Sequence, residues 1–134
     1  MKVDTYTPDD LFTPIGPYSH MTKAGPFITI SGTPGVDPRS GQMAGPDAYT
    51  QTARILQTFR SLLEHAGAGF KQVMHVNVFL KNVDDFDDMN RAYREAFVDH
   101  LPARTVICVA DLPKRDARLT MNLTAVVADP GPSA

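Results

Sequence analysis

Arg118-Leu119-Thr120-Met121-Asn122-Leu123-Thr124-Ala125-Val126-Val127 alternates along almost its whole length. Successive side chains of a strand point to opposite faces, so Leu119, Met121, Leu123 and Ala125 share one face and Thr120, Asn122, Thr124 and Val126 the other. The first face is apolar and suited to burial. The second is mostly polar yet uncharged. A segment of this kind belongs to a sheet that has one face under other elements.

Working outward, the same pattern recurs. In the strand expected over 73–80, Met74, Val76, Val78 and Leu80 oppose His75, Asn77 and Phe79. In the strand expected over 27–31, Ile28 and Ile30 oppose Phe27, Thr29 and Ser31. The second face thus mixes threonine, serine, asparagine, histidine and cysteine, with almost no lysine or glutamate. A free solvated face normally carries more charge. This one is expected to pack against other copies of the chain, with ligand pockets at the seams.

Between these strands the period changes. Ala53, Ile55, Leu56, Phe59, Leu62 and Leu63 recur at helical spacing over 48–65, and Ala66-Gly67-Ala68-Gly69 supplies a C-terminal stop. Asp84-Asp85-Phe86-Asp87-Asp88 opens a second helix running to about Val98. Its carboxylates suit the positive end of a helix dipole, and they splay around the first turn rather than converging on a metal. Tyr18–Lys23 reads as a short strand paired with Phe27–Ser31 across Ala24-Gly25-Pro26. Gly32-Thr33-Pro34-Gly35 breaks the second of these, and Asp37-Pro38-Arg39-Ser40-Gly41 makes a tight turn. The order of strand, strand, helix, strand, helix, strand, strand predicts an α+β sandwich, with both helices on one face of a mixed sheet. The 134 residues fit one domain, with an arm over 1–13, a core over 14–127 and a tail over 128–134.

Hydrophobic residues make up 43% and charged residues 21%, ordinary for a globular protein, and the net charge of −2 gives no electrostatic footing for nucleic acid. A single cysteine cannot form an internal disulfide, which suits a reducing compartment. The N-terminus lacks a signal-peptide core and no run approaches a membrane span, so a cytoplasmic protein is expected.

The stretch from His100 to Lys114 carries the clearest chemistry. Pro102 and Pro113 bound a strand over Arg104–Val109, on which Arg104, Val106, Cys108 and Ala110 share a face. A guanidinium heading a row of small apolar groups can fork onto a carboxylate; the alternative is a surface arginine paired with an acid. Cys108, mid-strand among apolar neighbours, reads as a buried structural thiol. Asn90 flanks the apolar face of the second helix, where its amide needs a partner such as a loop backbone. Asn122-Leu123-Thr124 matches a glycosylation acceptor, a chance match within a strand. There is no phosphate-binding glycine loop and no His-Glu-x-x-His, and His20, His65, His75 and His100 show no metal-ligand spacing. No metal or cofactor is expected.

Four segments together resemble one family: Ile15-Gly16-Pro17-Tyr18-Ser19, Ile30-Ser31-Gly32, Met89-Asn90-Arg91-Ala92-Tyr93, and Pro102-Ala103-Arg104 leading to Leu112-Pro113-Lys114. In this order and spacing they are similar to the Rid (reactive intermediate deaminase) family, also called YjgF or L-PSP endoribonuclease. The likeness spans Pro14 to Val127. It implies a chorismate-mutase-like fold, a homotrimer and ligand clefts between subunits. It also implies hydrolysis of amino-acid-derived enamines or imines to 2-oxo acids and ammonia. By the same resemblance Arg104 grips the substrate carboxylate, Tyr18 lines the cleft, Ser31 and Gly32 lie beside the ligand, and Asn90 supports the site.

Two positions depart from the deaminating pattern. The cysteine expected two residues after the arginine is Val106, with Cys108 one strand-face step farther on as the cleft thiol. The glutamate that holds the attacking water has no counterpart, and Thr120 or Asn122 stands in its place. A threonine hydroxyl can hydrogen-bond a water but cannot take its proton near neutral pH. Two readings follow: a hydrolase in which Arg104 and Thr120 act on a small carboxylate-bearing imine, or a non-catalytic module binding a small acid. Ribonuclease activity, implied only by the older family name, conflicts with the absence of a basic patch.

Overall fold

The alternating strand lies inside the sheet, with partners on both sides. A computed structural model describes residues 1–127, and the tail expected over 128–134 lies outside the described residues. The elements are β1 (Asp4–Tyr6), β2 (Met21–Ala24), β3 (Phe27–Pro34), α1 (Ala48–His65), β4 (Val73–Leu80), α2 (Phe86–Ala96), β5 (Ala103–Cys108) and β6 (Leu119–Val126). Short 3₁₀ turns cover Phe70–Gln72 and Val83–Asp85. The strands form one six-stranded sheet in the order β1-β2-β3-β6-β4-β5. β6 pairs antiparallel with both β3 and β4, and β5 runs parallel to β4.

Topology explains why both helices share a face. β3 and β4 flank β6 with the same direction, so β3-α1-β4 and β4-α2-β5 are both crossovers between like-directed strands, stepping the same way across the sheet. Such connections are right-handed, so two steps in one direction place both helices on the same side. Ile55, Leu56, Phe59, Leu62 and Leu63 of α1 and Met89 and Tyr93 of α2 close over Val76, Val78, Leu80, Leu119, Met121 and Leu123. Each fully buried side chain of this size contributes roughly 1.5–3 kcal/mol. The α+β fold with a mixed sheet and two helices is as expected.

Several details differ from the sequence reading. The arm contains β1, paired with β2 in register Asp4↔Lys23. β2 begins at Met21 rather than Tyr18. Gly32 does not end β3; the strand continues to Pro34 through a register shift between Ile30 and Thr33. A second shift between Val73 and His75 adds one residue to β4. It leaves Met74, expected under the helices, 59% exposed, with Val73 taking the buried position.

Gln51 joins the loops around this core. It lies in α1, fully buried, at 0% exposure. Its Nε2 donates to the carbonyls of Gly45 (2.9 Å) and Asp116 (3.1 Å), and its Oε1 accepts from the Arg118 amide (2.8 Å). Gly35 packs directly on this residue: a Cβ there would stand 2.5 Å from the Gln51 carbonyl oxygen, so only glycine fits. Asp116 itself has φ of 67°, the left-handed region that aspartate tolerates better than most residues. One buried amide thus fixes the 45–46 loop, the 114–118 turn and the start of β6.

Candidate functional site

The residues expected to act together separate into two groups within one chain. One group surrounds a cleft of about 450 Å³ lined by Ile15, Gly16, Tyr18, Ser31, Gly32, Pro34, Pro113, Lys114 and Thr120. The bulge in β3 shapes it. Ser31 donates its hydroxyl to the Ser19 carbonyl (2.6 Å) and its amide to the His20 carbonyl (2.9 Å), tying the Tyr18 segment to the strand. His20, buried, donates from Nε2 to the Phe12 carbonyl (2.7 Å) and anchors the arm from beneath. Of the two candidates in β6, Thr120 reaches this cleft. Asn122 is occupied in the sheet, accepting from Asn77 Nδ2 at 2.8 Å.

The other group surrounds Arg104 in a cleft of about 420 Å³ lined by Asn90, Tyr93, Arg94, Phe97, Val98, Leu101, Pro102 and Arg104. In the β4–β5 register Arg104 stands beside Val76 and Val106 beside Val78, while Thr105 stands beside Asn77. Arg104 therefore projects on the helix side of the sheet and not from the open polar face. Its Nη1 donates to Asn90 Oδ1 at 2.7 Å, so the Asn90 amide serves the arginine rather than a loop backbone. The guanidinium lies 4.8 Å from the Tyr93 ring centroid and 5.9 Å from that of Phe86. Such contacts are worth about 0.5–2 kcal/mol each and fix the guanidinium before any ligand arrives.

No carboxylate among the described residues neutralises it. Among the described residues, the ion pairs are Lys2–Asp4, His65–Asp10, Lys81–Asp111, Arg91–Asp88 and Arg118–Asp85, and Arg104 is in none of them. Tyr93 offers no counter-charge either. Burial pushes its phenol up to about 12 against the opposing pull of Arg104, so it is neutral at working pH. The alternative of a surface arginine paired with an acid is thereby excluded for the described residues. A third cavity, of about 530 Å³ and including Lys81, Asp85 and Arg118, is different in kind, because both of its cations are paired with aspartates at 3.2 Å.

The two groups do not meet in one chain. Thr120 aligns with Phe79 and Arg104 with Val76, two strands apart and three residues along. Strand spacing and rise put about 14 Å between these backbone positions, with the side chains on opposite faces. Cys108 joins neither cleft. It is the last residue of β5 and is exposed, because β5 is an edge strand whose helix cover reaches Val106 and stops short of Cys108. The expected buried thiol is thus corrected. The signal for Asn90 and Arg104 was present in the sequence, but their contact joins a helix to an edge strand and has no periodicity of its own. Gln51 was missed, although a polar residue four positions before Ile55 on the buried stripe of α1 marks it. Among the described residues, no group of three or more His, Cys, Asp or Glu is placed to hold a metal ion, and no helix is long and apolar enough to cross a membrane.

Comparison with known proteins gives a consistent answer. The family model described as endoribonuclease L-PSP matches residues 9–127. A RutC family protein of Pyrococcus abyssi is 42% identical over 101 residues, covering 75% of this chain and 80% of that protein. The human 2-iminobutanoate/2-iminopropanoate deaminase is 34% identical over 112 residues, covering 84% and 81%. The crystal structure of a putative endoribonuclease from Thermotoga maritima superposes with a TM-score of 0.88 at 33% identity, over 96% of this chain and 99% of that one.

Proposed function

This chain belongs to the Rid (YjgF, endoribonuclease L-PSP) family, and from that premise we propose that it is a homotrimer hydrolysing a small carboxylate-bearing imine or enamine between subunits. The observation that carries the reading is Arg104: a fixed guanidinium, bonded to Asn90, flanked by Tyr93 and Phe86, and without an acid partner among the described residues. Its fork matches a carboxylate. The assembly is supported by the division of the site, since Arg104 and Thr120 serve one ligand only if a second copy brings its cleft to the first. It is supported too by the open face of β3, β6, β4 and β5, where Thr29, Thr124, Asn77 and Thr105 carry no charge.

In the reaction, a water oxygen adds to the imine carbon and one of its protons passes to the imine nitrogen. The remaining water proton then moves from the new hydroxyl to the nitrogen as the carbon–nitrogen bond breaks, releasing ammonia and leaving a carbonyl whose oxygen came from water. Arg104 holds the carboxylate next to the reacting carbon, and the Thr120 hydroxyl orients the water. The imine nitrogen is basic enough to receive the proton, so the step proceeds without a protein carboxylate, but more slowly. Losing a positioned general base typically costs about 10²–10⁴-fold. A non-catalytic binder of small acids is the second reading, favoured by one observation: no acid lines the Thr120 cleft.

Ammonia release from freshly generated 2-aminoacrylate separates the two readings. The hydrolase reading expects release above the spontaneous rate and its loss in Arg104→Ala; retained turnover in that variant refutes the role of Arg104.

A further inference from the structure

We propose that His20 is a positioning residue for the ligand cleft and acts through Tyr18. The inference rests on the imine-hydrolase reading, in which Tyr18 lines the cleft, and adds a residue that never meets the ligand. Three of the nine residues around the Thr120 cleft, Ile15, Gly16 and Tyr18, come from the segment 13–19, which has no helix or strand of its own. Its internal hydrogen bonds tie it only to itself. The Tyr18 amide donates to the Gly16 carbonyl (2.9 Å), and the Ile15 amide donates to the Tyr18 hydroxyl (3.4 Å). Attachment to the rest of the chain falls to the two ends. At one end Ser31 bonds the carbonyls of Ser19 and His20. At the other the segment leaves Phe12, whose carbonyl accepts from His20 Nε2 at 2.7 Å.

One imidazole therefore closes the segment into a loop, across eight residues of chain. The ring is 2% exposed and stands nearly at right angles to two others, Phe12 at 4.8 Å and Tyr18 at 6.5 Å between centroids. Aromatic pairs at such separations and angles attract. Filling space does not by itself select an imidazole, because a buried leucine would do so with no polar atom to satisfy. What the imidazole adds is a donor aimed at the Phe12 carbonyl and an edge set against Tyr18. Tyr18, 36% exposed, has open space on its cleft side. Without His20 the loop is released at its Phe12 end and the tyrosine ring is free to turn. A side chain locked before the ligand arrives leaves less ordering to be done on binding.

The test is a double-mutant cycle read in kcat/KM for 2-iminobutanoate, generated in place from 2-aminobutanoate by an amino-acid oxidase. His20→Leu should lower kcat/KM about 10-fold, the combined effect of one hydrogen bond and one aromatic contact. His20→Gln, whose amide reaches the same carbonyl, should recover most of that loss. In a Tyr18→Ala background His20→Leu should cost less than about 3-fold, since nothing is left to position, whereas a purely structural residue costs the same in both backgrounds. A fall of less than about 3-fold without Tyr18→Ala, or a larger one beside it, overturns the proposal. So does a His20→Gln protein as impaired as His20→Leu. If His20→Leu does not fold, His20→Asn, too short to reach the Phe12 carbonyl, takes its place in the cycle. If Tyr18→Ala turns over the imine as fast as wild type, the proposal fails while the hydrolase reading stands. If the wild-type protein releases no ammonia above the spontaneous rate, the hydrolase reading fails, and the cycle is read in the Kd for 2-oxobutanoate with the same thresholds. Absence of binding there overturns the proposal as well.

Discussion

Gln51→Glu is the sharpest perturbation the structure offers, because it changes one atom's hydrogen-bonding sense at constant shape. The carboxylate would still accept from the Arg118 amide, but the other oxygen would face the carbonyls of Gly45 and Asp116 with no proton to give. Two hydrogen bonds become two contacts between acceptors, and a charge is created at a position with 0% exposure. Each unsatisfied buried group costs about 1–3 kcal/mol, so a loss of roughly 3–5 kcal/mol at pH 7 is expected, a large share of the ~5–15 kcal/mol that holds a domain together. With a urea slope of about 2 kcal/mol per molar, the unfolding midpoint should fall by about 1.5–2.5 M. The measurement needs one fixed protein concentration, since assembly shifts apparent stability. The pH dependence gives a second signature. Burial and the facing carbonyls raise the folded-state pKa of the new carboxyl above its unfolded value. The loss is then smallest below the unfolded pKa, near 4.3, and grows as pH rises toward the folded one. A variant as stable as wild type at pH 7, or one whose deficit does not shrink on acidification, would refute the account of Gln51 as the clamp between the loops.

Two further outcomes follow from the geometry. On the hydrolase reading, Thr120→Glu supplies a general base to the cleft and should raise the rate of imine hydrolysis by up to about 10²–10⁴-fold at saturating substrate, with a new acidic limb in the pH–rate profile; an unchanged kcat would mean that proton acceptance does not limit the reaction. Thr124→Arg places a charge in the middle of the open face and should convert a trimer in sedimentation velocity to monomer, and a wild-type protein that sediments as a monomer sinks the assembly outright.

Much of the fold was legible because burial leaves a periodic mark. The alternation of β6, the helical spacing of α1 and the valines of β4 each report a face turned to the core. What escaped are features that break a period or are too short to have one. β1 is three residues long, and three residues cannot establish an alternation. The register shift at Val73/His75 inverts the expected role of Met74, because one extra residue moves every side chain before it to the other face. For the site, Arg104 could be picked out by its chemistry, but its direction could not. Strand parity placed Arg104, Val106 and Cys108 on one face, which is correct. It gave no sign that this is the helix side, or that the helices stop short of Cys108.

The interior place of β6 has a consequence for how the protein is made. A ribosome delivers β3 and β4 well before residues 119–126, so the strand that must lie between them arrives after both. Until then each has one row of unpaired amides and carbonyls facing a gap, a template for wrong pairing with another nascent chain. The hairpin β2–β3 and the unit β4-α2-β5 can form from local contacts, but they have no shared sheet. Joining the sheet therefore waits for residues 119–126, and a chain cut between Cys108 and Leu119 is left as two fragments of a sheet lacking the strand that joins them.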